Sequence, residues 1–131
     1  MLTSDDIKMT TVLVCITCRA ASDPPGSVPR GPDLAIATLA AAGTSSDVRV
    51  IQVRCLANCN RGLSAALRRD GAWTYVFGHL DPERDGPALI DGARLLSRST
   101  DGLLPWKERP EALKRGLIAR VPPQTFEGEP T

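Results

Sequence analysis

The chain has one histidine, His79, and aromatic side chains make up only 4% of its 131 residues. A single histidine excludes a multi-histidine metal site and argues against a His-based triad. Scarce aromatics mean that the core is aliphatic, built from Leu, Val, Ile and Ala. There is no excess of either charge: sixteen Lys and Arg stand against fifteen Asp and Glu, a formal net charge of +1. That balance argues against the broad basic surface that nucleic-acid backbones demand, so no nucleic-acid partner is expected. Long apolar runs are missing too. The longest, residues 12–16, is far short of the roughly 20 residues of a membrane span, so no membrane partner is expected either. The opening MLTSDDIKMT has no apolar stretch behind a basic region, which reads against a secretory signal. The expectation is a cytoplasmic protein of one domain over residues 1–124, with a packed C-terminal extension from about 101 and a disordered tail at 125–131.

What is present is sulfur: Cys15, Cys18, Cys55 and Cys59. Cytoplasmic thiols stay reduced, so a disulfide framework is the less favoured use of them. Their meaning depends on where the chain places them. All eleven prolines lie outside the interval between Pro32 and Pro82, so regular core structure is expected there. Residues 10–16, TTVLVCI, form a β-branched run that is apolar on both faces, the pattern of a central strand covered on both sides. The loop at 20–32 is dense in Pro, Gly and Ser. Pro32 and Asp33 then suit the first turn of an Ala- and Leu-rich helix ending at Gly43. Residues 48–53, VRVIQV, read as an edge strand, and strand, helix and strand in that order make a right-handed βαβ unit with parallel strands.

Residues 63–69 and 72–77 flank Asp70-Gly71, a pair that favours a type I′ hairpin turn. Gly86-Pro87 opens a second helix with Leu89, Ile90, Ala93 and Leu96 on one stripe, weakened slightly by Gly92. A short helix is expected near 110–114. His79 is expected as a loop residue at the opposite end of the sheet from the cysteines, Trp106 as a cover for the core, and the charges at 81–85 as a solvated loop.

The two thiol pairs, Cys15-x-x-Cys18 and Cys55-x-x-x-Cys59, each sit at or just past the end of one of the two parallel strands. Parallel strands end on the same edge of a sheet, so the pairs converge where open α/β sheets place their ligands. A four-thiolate metal site follows as a candidate. Buried structural cysteines are the plain alternative. Zinc is a second, although its knuckles favour two residues between ligands. A dithiol oxidoreductase using Cys15 and Cys18 is a third; there the motif normally opens a helix directly, whereas a four-proline loop intervenes here. Arg19, Arg54 and Arg61 adjoin or nearly adjoin cysteines. They read equally as solvated surface or as cations tuning an anionic cluster.

The order βαβ–hairpin–helix, with CITC after the first strand and CLANC after the second, resembles the thioredoxin-like [2Fe–2S] ferredoxins. More closely, CITCR, CLANCNRG, WTYVFG, DGLLPWKERPE and ARVPP resemble a bacterial family of predicted metal-binding proteins of unknown function, over roughly residues 11–123. The resemblance implies an α/β thioredoxin-like fold with sheet order 2-1-3-4. It implies a [2Fe–2S] cluster held by Cys15, Cys18, Cys55 and Cys59 and a homodimer; the expected role is electron transfer with a redox partner protein. No carboxylate pair, nucleotide-binding glycine loop or nucleophile–base set stands out in the sequence, so no enzymatic activity is expected. One departure stands out: the ferredoxins space their first two cysteines more widely, which keeps zinc open as the alternative occupant.

Overall fold

The computed structural model describes residues 8–20 and 22–130, with the backbone alone at position 59. The first seven residues, which carry most of the stretch read against a leader, lie outside them. The elements are β1 (Thr10–Cys15), α1 (Gly31–Ala42), β2 (Val48–Val53), a 3₁₀ turn (Cys59–Arg61), β3 (Leu63–Arg68), β4 (Thr74–Leu80), α2 (Gly86–Ser97), α3 (Glu111–Arg115) and β5 (Leu117–Val121). No helix among the described residues is long and apolar enough to cross a membrane.

β1 and β2 pair in parallel from Thr10↔Val48 to Cys15↔Val53, as the βαβ reading requires. β3 returns antiparallel on the other side of β1, and β4 pairs with β3. The sheet order is β2-β1-β3-β4-β5. This is the expected 2-1-3-4 arrangement of a thioredoxin-like α/β fold with one strand added. That strand, β5, lies antiparallel to β4; its short LIARV pattern, running into Pro122 and Pro123, had pointed only to a packed tail.

Both long helices lie on the same side of the sheet, against each other and against β1 and β2. Val12, Val14, Leu67 and Phe77 face them and are fully buried, as is the stripe Leu89, Ile90, Ala93 and Leu96 of α2. At about 1.5–3 kcal/mol for each large aliphatic side chain buried, this single layer accounts for the core. The hydroxyls of Thr10 and Ser97 meet at 2.8 Å, so the polar groups at its edge are paired. Gly92, which weakens α2 as a helix, has a packing reason. A Cβ there would lie 2.4 Å from Leu113 of α3, so the missing side chain lets α3 sit down on α2.

Three expectations need correction. β1 is interior but is covered by helices on one side only; Thr11 and Leu13 on its other face are half-buried, and no helix of the described residues lies over them. The hairpin turn is not type I′. That type needs positive φ at both central residues, whereas Gly71 (φ 76°) has it and Asp70 does not. The Ala72 N–H closes the turn on Arg69 O, and the Trp73 N–H is held by Gly102 O rather than by the strand ladder. Trp106 does not cover the core: it is 57% exposed, with Arg109 and Lys114 over its ring. The 81–85 run is the expected loop, with Glu83 and Arg84 exposed; Asp81 accepts from the Glu83 and Arg84 N–H groups, and Asp85 from that of Asp81, which fixes its turn. Further on, the Phe126 ring lies 5.4 Å from Trp73.

Candidate metal centre

The end of β1 carries Cys15 inside the protein and turns at once into the Cys18 loop. Ile16 still bonds to Val53 of β2, so the strand pair dictates where the first thiol stands. The Cys18 carbonyl then accepts from the N–H groups of both Arg30 and Gly31. The proline-rich loop therefore leaves and returns: the start of α1 abuts the Cys15–Cys18 segment despite twelve intervening residues. Gly31 permits it. A Cβ at that position would lie 2.1 Å from the Cys15 carbonyl oxygen and 2.7 Å from the Ile16 Cα.

Cys15 and Cys18 are both buried. The Cys18 thiol donates to the Cys15 sulfur at 2.9 Å, and the Thr17 hydroxyl is 3.6 Å from the same sulfur. Burial pushes the Cys15 thiol up. Hydrogen bonding from Cys18, Thr17 and the Leu56 backbone outweighs it, and the net direction is below a thiol's ordinary value. Across the gap, the Arg54 carbonyl accepts from the Thr17 hydroxyl and lies 3.6 Å from the Cys15 sulfur. Side chains of the first cysteine loop are therefore stitched to the backbone of the second.

Cys55 follows β2 by two residues and is exposed, its sulfur accepting from the Ala57 N–H at 3.1 Å. Ala57 takes the left-handed conformation (φ 57°) that turns the chain toward Cys59 at the head of the 3₁₀ turn. Beneath that turn, buried Asn58 donates to the Ser64 hydroxyl at 3.0 Å and accepts from Arg61 at 3.2 Å. Motif spacing missed Asn58; an amide enclosed between two cysteines was the available signal. Replacing Asn58 with alanine leaves the Ser64 hydroxyl short of a partner and frees Arg61. We expect a loss of about 1–3 kcal/mol in urea unfolding.

A cleft of about 440 Å³ lies between residues 17–25 and the far end of the second loop, lined by Thr17, Cys18, Arg19, Asp23 and Asn60 among others; of the described thiols, Cys18 lines it and Cys15 and Cys55 do not. A larger one, about 610 Å³, lies at the far end of the sheet, where Asp47 takes Arg94 and Arg98 and no thiol is present; the candidate site follows the chemistry rather than the volume. Among the described side chains no three metal-ligating groups converge; that of Cys59 lies outside them. Two buried neighbouring thiols, an exposed thiol with a backbone donor and a cleft beside Cys18 suit a thiolate-bound group in donor chemistry.

Arg19, Arg54 and Arg61 are exposed around this edge, and none forms an ion pair among the described residues. His79 is not at the opposite end of the sheet. Two antiparallel steps bring the end of β4 back beside the start of β3 (Leu63↔Leu80), which is the cysteine edge. His79 is exposed there, with positive φ (56°), beside Arg115 and Asp81.

Fold and site together define a thioredoxin-like α/β protein with paired thiols at the ends of its parallel strands. Residues 12–123 match the family described as a protein of unknown function, DUF1636, and the chain belongs to that family. Among solved structures it is similar to a thioredoxin-like [2Fe–2S] ferredoxin from Aquifex aeolicus (20% identity, TM-score 0.55, covering 91% of this chain and 99% of that one). The wild-type form of the Aquifex aeolicus ferredoxin also matches, at 18% identity and TM-score 0.55, covering 86% and 98% of the two chains. No match is found among the curated proteins.

Proposed function

We propose that the protein is a small ferredoxin-like electron carrier whose [2Fe–2S] cluster is held by Cys15, Cys18, Cys55 and Cys59. The observation that carries this is the parallel register: Cys15 pairs with Val53, and Cys55 follows two residues later, so both thiol pairs leave the same sheet edge. The likeness to the two ferredoxin structures supports the same reading through the fold. Such a group supplies one-electron transfer when bound. The chain's own part is to bury one thiol pair, to offer the Ala57 N–H to the other, and to set Arg19, Arg54 and Arg61 near a negative charge.

The deciding experiment is anaerobic purification or reconstitution, followed by visible absorption with iron and acid-labile sulfide analysis. We expect charge-transfer bands with two irons and two sulfides per chain, and loss of both on Cys55→Ser. A colourless protein with one zinc per chain would overturn the carrier. Unchanged metal content in Cys55→Ser would overturn a four-ligand site of either kind. One observation favours a second reading, a dithiol oxidoreductase: the 2.9 Å approach of the Cys15 and Cys18 sulfurs beside the start of α1. Metal-free protein that reduces disulfides, with Cys55→Ser retaining that activity, would put it first.

A further inference from the structure

The sheet has one face packed by helices and one over which no helix of the described residues lies. On the second face Leu13, Ile51, Val53 and Val76 are only half-buried. In register they form a continuous strip, Ile51 beside Leu13 beside Ala66 beside Val76. Strip and cysteine site are continuous, because Cys15 and Val53 end the same face and the loop carrying Cys55 begins directly beyond Val53.

Among the described strand residues of this face the charges are of one sign. Arg49 and Arg68 both pair with Thr11, one from each side, and so flank the strip at one end. Arg54 and Arg61 stand at the cysteine end. All four are exposed, and none has a carboxylate partner among the described residues. The chain offers none nearby in sequence: residues 7–22 and 48–69 contain no Asp or Glu. In a protein with a net charge of only +1, this is a local concentration of positive charge around an apolar strip, balanced by acids placed elsewhere.

We propose that this helix-free face is the docking surface for a protein partner with an acidic rim around an apolar centre. The strip supplies area that is desolvated on contact, and the arginines supply steering and register. A second copy of the chain fits poorly, because two such faces would bring arginine against arginine. A nucleic-acid backbone would use the arginines but leave the strip unused, and the face carries no aromatic platform for bases. In the electron-carrier reading, on which only the partner's redox role rests, docking here brings it directly against the cysteine loops.

The test measures binding to the full-length chain by fluorescence anisotropy, using three labelled probes: a 20-residue Glu peptide with Leu at every fourth position, poly-L-glutamate of equal charge, and a 20-nucleotide oligouridylate. We expect the Leu-bearing peptide to bind most tightly, weakening as salt is raised. Arg49→Glu with Arg68→Glu is expected to weaken it at least tenfold; Lys107→Glu with Lys114→Glu, the same charge change beside Trp106 on the helix-packed side, is expected to leave it within twofold. Ile51→Glu should remove the preference for the Leu-bearing peptide over poly-L-glutamate. Equal losses in the two double variants would overturn the face, and tightest binding of oligouridylate would reassign it to nucleic acid. Self-association of the wild type abolished by Ile51→Glu would reassign it to a second copy. Metal and sulfide analysis of the same preparation separates the two proposals: the expected binding pattern without iron retains the docking face and removes the electron carrier.

Discussion

Gly31→Ala is expected to cost the protein about 3 kcal/mol or more and, with the proposed cluster at the thiol edge, most of the metal content as well. Gly31 opens α1 and is buried against the end of β1. A methyl group there falls 2.1 Å from the Cys15 carbonyl oxygen, 2.7 Å from the Ile16 Cα and 2.9 Å from the Ile16 carbonyl carbon. All three are backbone atoms, so no rotamer change relieves the overlap. Either α1 withdraws from the sheet, opening the layer that buries Leu34 and Ala35, or the Cys15–Cys18 segment is pushed out of place. Withdrawal also breaks the bonds from the Arg30 and Gly31 N–H groups to the Cys18 carbonyl. Domains of this kind have total stabilities of about 5–15 kcal/mol, so the change consumes a large fraction. Urea unfolding and iron content measured on the same sample provide the check. Pro32→Ala, one residue on at an exposed position, is the companion measurement, with an expected cost under about 1 kcal/mol. A Gly31→Ala protein with wild-type stability and metal content would show that the contact between α1 and the thiol loop yields freely.

The dependence of the thiol edge on Gly31 also shows what sequence patterns carry and what they omit. The βαβ unit was legible because its signals are local: a β-branched run, a Pro-initiated helix and a second apolar strand. The handedness rule then leaves one way to join them. From that alone the two thiol pairs fall on one edge. The contact between Gly31 and Cys15 was not legible, because it depends on a loop with three prolines, residues 19–30, folding back on itself. The turn at Asp70-Gly71 was misjudged for a similar reason: its geometry answers to Gly102, thirty residues away, whose carbonyl takes the Trp73 N–H. β5 was missed because a five-residue edge strand with polar interruptions has little periodicity to show.

His79 is a different case. Its place on the cysteine edge follows from the strand order that the family resemblance implies, since two antiparallel returns after β1 bring β4 back to where β1 ends. The covered and uncovered faces of β1 mark a firmer limit. Thr11 and Leu13 look as apolar in sequence as Thr10 and Val12, and periodicity does not say whether a helix or another molecule covers them.

Arg109→Ala is expected to destabilise the protein by about 2–3 kcal/mol while leaving the thiol edge intact. Arg109 is 8% exposed and has no carboxylate partner among the described residues. Its guanidinium donates to the Leu104 carbonyl at 2.7 Å and to the Pro105 carbonyl at 3.4 Å. It also lies over the rings of Tyr75 and Trp106, at 5.6 and 5.0 Å. The Tyr75 hydroxyl in turn accepts from the Leu104 N–H. One side chain thereby ties the segment after α2 to β4. Burial pulls its pKa below the ordinary guanidinium value, but guanidinium stays charged throughout the working range. Burying that charge is costly, and charge-assisted bonds of about 1.5–3 kcal/mol each with cation–π contacts of about 0.5–2 kcal/mol offset the cost. Truncation to alanine loses the offsets and leaves the Leu104 carbonyl unpaired, so the loss outweighs the relief. The damage is expected to be local: faster amide exchange across 101–121, with β1 and β2 protected as before and metal content unchanged. Arg109→Met separates the two opposing effects, since it keeps much of the stem but not the charge. If Met restored full stability, the guanidinium would be a burden carried by its packing. If Met is as damaging as alanine, the carbonyl bonds and ring contacts hold the extension in place.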